Sequence, residues 1–251
     1  MISLKTKNWQ IENIETVFFD KDGTFIDLHF FWGQMTKLRA LEVIKRFNLS
    51  KDCFNQLCLY LGYDLNSGKM LKDGITALYS RSKIIEIFKN NLKEINIETT
   101  EDELAKIFDY VSEIFYQDMF QYVKPIGSAI EFIKKLYEKN IKLGIITSDS
   151  VESTNLTLKH FSWEKYFDVV IGRESTKETK ESGVGTKLAL EKINANSKTT
   201  IMIGDAPMDF ISAKNAGIEK TILVSSGQIE IDELKKVSNY CVNSLDEIEI
   251  L

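Results

Sequence analysis

Cysteine is scarce in this sequence, and its scarcity excludes a disulfide framework. Cys53, Cys58 and Cys241 are an odd number of cysteines, and too few for the disulfide scaffold of a small secreted protein. Cys53 and Cys58 also lack the spacing of a zinc-binding pair. We therefore expect the three side chains to be small buried hydrophobic groups.

An excess of basic charge and long apolar runs are lacking as well. The chain has 32 basic and 37 acidic side chains and a formal net charge of −5, which gives no electrostatic footprint for nucleic acid or an anionic membrane. No run approaches the roughly 18 apolar residues of a membrane helix, and the opening segment MISLKTKNWQ has no signal-peptide core. We expect a cytoplasmic protein with no nucleic-acid or membrane partner.

The composition is that of an ordinary globular protein. Hydrophobic residues make up 43% and charged residues 27% of the 251 residues, which excludes disordered and fibrous classes. From Thr16 onward, short apolar runs alternate with helix-length segments, a pattern typical of βαβ units and a parallel sheet. The predicted strands are 16–19, 143–147, 168–172, 199–204, 220–225 and 240–243.

More than a hundred residues separate the first predicted strand from the second, and they carry almost no strand signal. Apolar residues recur there at three- to four-residue spacing, which predicts helices, while the glycine-punctuated segment 61–74 indicates a loop. We predict an α-helical cap domain over 28–121, inserted into an α/β core domain of 1–27 and 122–251. Such an insertion would act as a lid over the carboxyl end of the first strand.

Two carboxylates, separated by a single residue, lie at the end of the first predicted strand, in the segment VFFDKDGT (17–24). Residues two apart on an extended backbone point the same way, so Asp20 and Asp22 can face one volume. Open α/β sheets bind ligands at this edge. Asp22 and Gly23 fit a simple turn as well, and strand alternation would turn Lys21 away from both acids.

Later strand ends carry further polar groups. Thr147 ends one apolar run and is followed by Ser148, and a hydroxyl there can bind an anionic oxygen or cap the next helix. Asp205 and Asp209 in GDAPMD form a second acidic pair, or a turn and a helix start. A lysine of the segment 175–187 can add a cation or remain on the surface.

Taken together, these groups predict phosphoryl transfer at one edge of the sheet. Carboxylate oxygens suit Mg²⁺, which binds phosphate oxygens directly. An aspartate with the usual pKa of about 3.9 is ionised at neutral pH and needs no base to act as a nucleophile. Its repulsion from a phosphate dianion costs roughly 4 kcal/mol at about 4 Å. A metal ion and a lysine are needed to offset that repulsion.

Three motifs carry a resemblance to a known family. FDKDGT, GIITSDS and GDAPMD resemble the motifs of the haloacid-dehalogenase-like (HAD) superfamily, in its phosphatase branch with an α-helical C1 cap. Phosphoglycolate-phosphatase-like and β-phosphoglucomutase-like proteins belong to that branch. The resemblance covers nearly the whole chain. It implies a doubly wound, Rossmann-like parallel-sheet core with an inserted α-helical cap domain.

The resemblance also implies roles for the acidic residues. Asp20 would be the nucleophile that accepts the phosphoryl group, and Asp22 the general acid and base. Mg²⁺ would be held by the carboxylates of Asp20 and Asp205 and the backbone carbonyl of Asp22, with Asp209 supporting this shell. The implied activity is a Mg²⁺-dependent phosphatase that works through an aspartyl-phosphate intermediate.

The phosphate-binding residues follow from the same resemblance. Thr147, with Ser148 beside it, would bind the transferring phosphoryl group, and the family's lysine falls on Lys180 by position. Here the chain departs from the family pattern, because Lys180 is followed by Glu-Ser-Gly and not by proline. Lys177 and Lys187 therefore stay alternatives to Lys180.

Other functions fit parts of the pattern. A phosphomutase of the β-phosphoglucomutase type would share every core residue. A catalytically idle HAD-like binding module is a second alternative, and the intact acidic residues argue against it. A signalling receiver domain has a similar aspartate, threonine and lysine but no helical insertion of this length. We expect the partner to be a small phosphorylated metabolite, such as a sugar phosphate or a phosphoglycolate-like ester.

Overall fold

A six-stranded parallel sheet forms the framework of the protein, as seen in a computed structural model that describes residues 1–251 except the side chains of residues 77 and 78. The strands are β1 (Ile2–Lys5), β2 (Gln10–Ile14), β3 (Thr16–Phe19), β4 (Tyr63–Asp64), β5 (Lys69–Met70), β6 (Lys142–Ile146), β7 (Val169–Ile171), β8 (Thr200–Gly204), β9 (Lys220–Val224), β10 (Tyr240–Val242) and β11 (Glu249–Ile250). The α-helices are α1 (Leu28–Arg46), α2 (Phe54–Tyr60), α3 (Ile75–Leu78), α4 (Arg81–Glu94), α5 (Glu101–Gln117), α6 (Ala129–Glu138), α7 (Val151–Phe161), α8 (Val184–Lys192), α9 (Pro207–Asn215) and α10 (Ile231–Leu234).

The sheet has the strand order β10-β9-β8-β3-β6-β7, and every neighbouring pair is parallel. All six predicted strands belong to it, so the predicted α/β class with a parallel sheet is confirmed. Strand β3 lies between β6 and β8, and its four residues are all buried. A continuous apolar run is what a strand covered on both faces requires.

The two faces of β3 pack against different groups. Phe18 belongs to an apolar cluster with Ile146, Met202 and Ala213. Phe19, pointing to the opposite face, makes edge-to-face contacts with Phe25 and other aromatic rings. The helices between the strands supply both layers, as is usual for parallel sheets.

A second, antiparallel sheet with the order β11-β1-β2 was not predicted from the sequence. Its apolar residues Ile2, Leu4, Ile11 and Ile14 are buried. The pairing register shifts between Ile2 and Leu4, and two polar residues separate Ile11 from Ile14. This irregular spacing hides the period-two pattern that identifies a half-buried strand.

Two compact units account for the chain by their internal contacts. Met1–Asp27 and Pro125–Leu251 form one unit, here called the core unit, and Leu28–Lys124 form the other, the helical unit. In the helical unit, α1 contacts α5 through Phe31 and Phe115, whose rings meet edge to face 5.0 Å apart. The segment predicted as a loop contains the short antiparallel pair β4 and β5. Within the described part of the chain, every helix is too short or too polar to cross a membrane.

Candidate active site

The predicted residues lie where three neighbouring strands end. Asp20 directly follows β3, Thr147 follows β6 and Asp205 follows β8. The backbone continues the ladder one step beyond the strands, because the Asp20 N–H donates to the Ile203 carbonyl at 2.8 Å. Since parallel strands present their carboxyl ends at one edge, these residues share one site in the core unit.

Three carboxylates form a buried acidic cluster at this edge. Carboxylate oxygens of Asp20, Asp205 and Asp209 lie within 4.8 Å of one another. Asp209 stands in the first turn of α9, where its Oδ2 accepts the Ala206 N–H at 3.0 Å. Burial, together with the charges of Asp20 and Asp209, raises the pKa of Asp205 well above its ordinary value. Like charges at this range repel by about 4 kcal/mol, so the cluster favours a cation.

Lys180 supplies one positive charge to the cluster. Its Nζ lies 2.6 Å from Asp20 Oδ1 and 2.6 Å from Asp209 Oδ1, and its side chain is 5% exposed. Burial opposes the charge, but the two carboxylates outweigh it and raise the pKa of Lys180. Lys177 and Lys187 are exposed. Of the three candidate lysines, the structure therefore brings Lys180 into the site.

The turn that carries Lys180 replaces the proline of the family pattern. Residues Lys180–Ser182 form a single 3-10 turn, which ends at Gly183 with a positive φ of 75°. The Asn215 side chain, at the end of α9, donates to the Glu181 carbonyl at 2.7 Å. A hydrogen bond to the neighbouring helix and a left-handed glycine thus define the loop that proline would otherwise stiffen.

Asp22 lies beside the acidic cluster in a tight turn. Gly23 has a φ of 90°, and its N–H donates to the Ile26 carbonyl at 2.8 Å. Burial raises the pKa of the Asp22 carboxyl to about 6, although Lys21 opposes this shift. A carboxyl that titrates near neutrality can both give and take a proton under physiological conditions.

The expectation that Lys21 turns away from the acids is wrong. Its side chain is 1% exposed, and its Nζ lies 2.7 Å from Asp22 Oδ1 and 3.1 Å from Asp149 Oδ2. Strand β3 ends at Phe19, so the alternation of a strand does not extend through Lys21. The turn brings the ammonium group back to the carboxylate of the next residue.

Thr147 and Ser148 have different surroundings. Thr147 is buried, and its Oγ1 accepts the Asp149 N–H at 3.1 Å. Ser148 is exposed, with its Oγ 3.9 Å from the sulfur of Met208. The N-cap of α7 is Ser150, whose side chain accepts the Ser153 N–H. Thr147 is therefore not the helix cap that the sequence left open as an alternative.

Sequence reasoning missed Asp149 and the segment after β9. Ser226 Oγ donates to the Gly23 carbonyl at 2.6 Å, and Gly227 packs so tightly that a Cβ there would overlap the Asp205 carboxylate. A signal was present, because Ser225, Ser226 and Gly227 follow the buried strand β9, as polar residues follow β3 and β8.

The site suits a divalent cation with oxygen ligands. Gly23 also lies against the Asp205 carboxylate, so two glycines pack closely around this side chain at positions where a Cβ would overlap it. The donors of Asp20, Asp205 and Asp209 are all carboxylate oxygens, the ligand type that Mg²⁺ prefers. One lysine faces three carboxylates, which leaves negative charge for a metal ion to balance.

A comparison with known families identifies the class of this protein. Residues 45–224 match the family described as haloacid dehalogenase-like hydrolase, so the chain belongs to that family. The matched region includes Thr147, Lys180, Asp205 and Asp209, whereas Asp20 precedes it. The resemblance drawn from the sequence motifs is confirmed, as is the enzyme class, a phosphatase of this family.

Individual relatives agree with this class. The chain is 28% identical over 223 residues to a candidate pyrophosphatase, PpaX, of Caldanaerobacter subterraneus, covering 89% of this chain and 87% of the relative. Among solved structures, one from Haemophilus somnus is described as a predicted phosphoglycolate phosphatase and has a TM-score of 0.70 at 17% identity. The match covers 93% of this chain and 96% of that structure's chain. A candidate β-phosphoglucomutase from Thermotoga maritima has a TM-score of 0.64 at 20% identity, with coverage of 91% and 94%. At such identities the two structures establish the fold alone.

Proposed function

We propose that this protein is a Mg²⁺-dependent phosphatase that hydrolyses a small phosphorylated metabolite through an aspartyl-phosphate intermediate. One observation carries the proposal. Asp20, at the end of the central strand, has Lys180 Nζ 2.6 Å from its Oδ1 and two further carboxylates within 4.8 Å. This arrangement surrounds a carboxylate nucleophile with the charges that phosphoryl transfer requires.

In the proposed first step, Asp20 attacks phosphorus, and the bond to the leaving oxygen breaks. Asp22 donates its proton to that oxygen, so the alcohol leaves neutral. In the second step a water molecule attacks phosphorus, the bond between phosphorus and the Asp20 oxygen breaks, and inorganic phosphate is released. Asp22 takes a proton from the attacking water, which returns both aspartates to their starting states. The raised pKa of Asp22, about 6, supports this double use, because both protonation states are accessible near neutral pH.

Lys180 and Thr147 are the proposed phosphate-binding residues, and the exposed Ser148 is a third candidate. The Lys180 ammonium reduces the repulsion between Asp20 and an approaching phosphate. Mg²⁺, when bound, would offset the remaining negative charge, held by Asp20, Asp205 and the backbone carbonyl of Asp22, with Asp209 in support.

The helical unit, Leu28–Lys124, is the proposed cap domain, and its proposed role is to select the substrate. The helical unit begins at Leu28, five residues after Gly23, and this supports the proposed role because the chain leaves the core unit just after the turn that carries Asp22. Since one relative bears the name of a pyrophosphatase and one fold neighbour that of a phosphoglycolate phosphatase, both compounds belong in the first substrate panel.

The test combines a substrate panel with metal removal. Pyrophosphate, phosphoglycolate and a set of sugar phosphates are incubated with the protein in Mg²⁺ or in EDTA, and free phosphate is measured. We expect release from at least one compound in Mg²⁺ and none in EDTA, and a loss of about 10³-fold or more in Asp20→Asn. Isomerised sugar phosphate without free phosphate would identify a mutase instead.

Metal binding has its own readout, independent of turnover. At a Mg²⁺ concentration of a hundred times its Kd, we expect binding to stabilise the folded wild type by about 2.7 kcal/mol. This stabilisation should appear as a higher melting temperature. Asp205→Asn should lose most of this shift. Full activity in Asp20→Asn would refute the mechanism, and an unchanged melting temperature would refute the metal site.

A further inference from the structure

We propose that Lys21 and Asp149 are positioning residues that fix the Asp22 carboxyl through its Oδ1 atom and leave Oδ2 for proton transfer. The inference rests on the proposed role of Asp22 as general acid and base. It goes beyond that role because it assigns a function to a lysine and an aspartate that the phosphatase chemistry itself does not require.

The geometry ties the three side chains into one buried unit. Lys21 Nζ is 2.7 Å from Asp22 Oδ1 and 3.1 Å from Asp149 Oδ2. The exposed fractions of these side chains are 1%, 11% and 2%, in the order Lys21, Asp22, Asp149. Asp22 Oδ2 has no hydrogen-bond donor among the side chains and backbone groups that the structure describes. One oxygen of the general acid is therefore held, and the other remains available.

Asp149 is itself fixed by the backbone around it. Its Oδ1 accepts the Ser150 N–H at 2.7 Å, and its carbonyl accepts the Arg173 N–H at 2.9 Å. Its own N–H donates to Thr147 Oγ1 at 3.1 Å. Lys21 thus connects the turn after β3 to a hydrogen-bonded loop after β6, and that loop also carries the proposed phosphate-binding hydroxyl.

A purely structural role for this ion pair is a weaker explanation. Burying a lysine and two carboxylates is costly, and apolar side chains of similar volume often give equal or greater stability. Lys21 is also the neighbour of Asp22 in the chain, and the turn brings its ammonium group to the Asp22 carboxyl. The orientation of that carboxyl matters because it is the proposed proton donor. Orienting a reacting group can be worth as much as 10²-fold in rate for a displacement of about 1 Å.

The proton of Asp22 moves while one bond to phosphorus forms and another breaks. As the bond between Asp20 and phosphorus forms, the bond from phosphorus to the leaving oxygen breaks, and the proton of Asp22 Oδ2 passes to that oxygen. A poor leaving group, such as an alkyl alcohol, needs this proton, whereas p-nitrophenolate leaves without it. The contribution of Lys21 should therefore depend on the leaving group.

The experiment compares Lys21→Met with wild type on two substrates, p-nitrophenyl phosphate and an alkyl phosphate that the wild type hydrolyses. We expect kcat/KM for the alkyl ester to fall about 10- to 100-fold and for p-nitrophenyl phosphate less than about threefold. Asp22→Asn should show the same selective loss of kcat/KM on the alkyl ester, but a larger one. Lys177→Met, at an exposed lysine, should match the wild type on both substrates.

A double variant separates positioning from packing. In the Asp22→Asn background, Lys21→Met should add less than about a threefold loss, because the group that it positions is gone. Lys21→Arg should restore part of the alkyl ester activity. If Lys21→Met fails to fold by circular dichroism, Asp149→Asn serves as a second variant, with a smaller but equally selective loss expected.

Two results would overturn the proposal. One is an equal loss on both substrates in a folded Lys21→Met or Asp149→Asn variant. The other is a full additional loss in the Asp22→Asn background. Failure of the underlying function looks different, because Asp22→Asn itself would then keep its activity on the alkyl ester.

Discussion

Lys180 reaches the acidic cluster from a turn that lacks the proline of the family pattern, which makes its role a direct test of the site. We expect Lys180→Ala to lower phosphatase activity by about 10²-fold or more, since its charge lies 2.6 Å from Asp20, the proposed nucleophile. The exposed residues Lys177 and Lys187 provide matched controls, and their alanine variants should stay within about twofold of wild type. Initial rates of phosphate release measure all three variants. Near-normal activity in Lys180→Ala would refute its assignment.

Two glycines offer a contrast between activity and stability. In Gly227→Ala the new methyl group overlaps the Asp205 carboxylate, and we expect this side chain to move and activity to fall by about 10²-fold with little loss of stability. Gly217 has a φ of 82°, and a Cβ there would meet Ser197 only at ordinary van der Waals distance. Gly217→Ala should therefore cost about 1 kcal/mol of stability through backbone strain and leave activity per folded molecule unchanged. Phosphate release and urea unfolding, measured on both variants, test this contrast. Equal effects of the two substitutions on activity would contradict it.

At this scale, the sequence predicted which residues meet better than how they meet. Asp20, Asp205 and Asp209 could be predicted because they belong to acidic segments that come after apolar runs, whereas Lys180 was distinguished from Lys177 and Lys187 only by the resemblance to the family. Lys21 could not, because its direction depends on where β3 ends. Whether the strand ends at Phe19 or continues one residue further decides where the Lys21 side chain points. Hydrophobic periodicity does not locate the end of a strand to a single residue.

In helix α1, Arg39 presents an unusual buried charge. Its side chain is 5% exposed, its Nε and Nη1 have no hydrogen-bond partner among the described residues, and its guanidinium lies 4.2 Å from the ring centre of Phe108. Burial, with the nearby charge of Arg81, lowers the pKa of Arg39 to about 10. The contact with the ring replaces only part of the lost hydration.

We therefore expect Arg39→Met to raise the free energy of unfolding by about 1 kcal/mol, since methionine has a similar length and a similar helix propensity. Lys45→Met, at an exposed lysine of the same helix, should change the stability by less than about 0.5 kcal/mol. Urea unfolding followed by circular dichroism measures both. A destabilisation of more than about 1 kcal/mol in Arg39→Met would show that the charge has a stabilising partner.

Elements with strong patterns were predictable, and elements with weak patterns were not. The six strands of the parallel sheet follow from continuous apolar runs, which only burial on both faces explains. Strands β1, β2 and β11 alternate irregularly, and β4 and β5 have two residues each, too short for any period to be visible. The interrupted spacing of β1 and β2 suits a small sheet with one buried face, and propensity alone does not identify it.

In the whole molecule, the order of the chain and the order of the sheet differ. Strand β3 comes first among the strands of the parallel sheet, yet it lies between β6 and β8, and Thr16 pairs with Lys142 on one side and Thr200 on the other. The whole of the helical unit lies between β3 and these partners in the sequence. Contacts between such distant segments form slowly, because a long loop has to close first.

The position of the helical unit between β3 and its partner strands in the sequence also matters during protein synthesis. The residues of β3 leave the ribosome before the helical unit, and their partners in β6 and β8 leave after it. Domains generally fold as units while the chain is being made. The four buried residues of β3 therefore stay an unpaired apolar segment on the nascent chain until β6 has been translated, and one edge of the strand stays open until β8 follows. For that interval Asp20, the proposed nucleophile, lies next to an apolar segment that needs protection from aggregation.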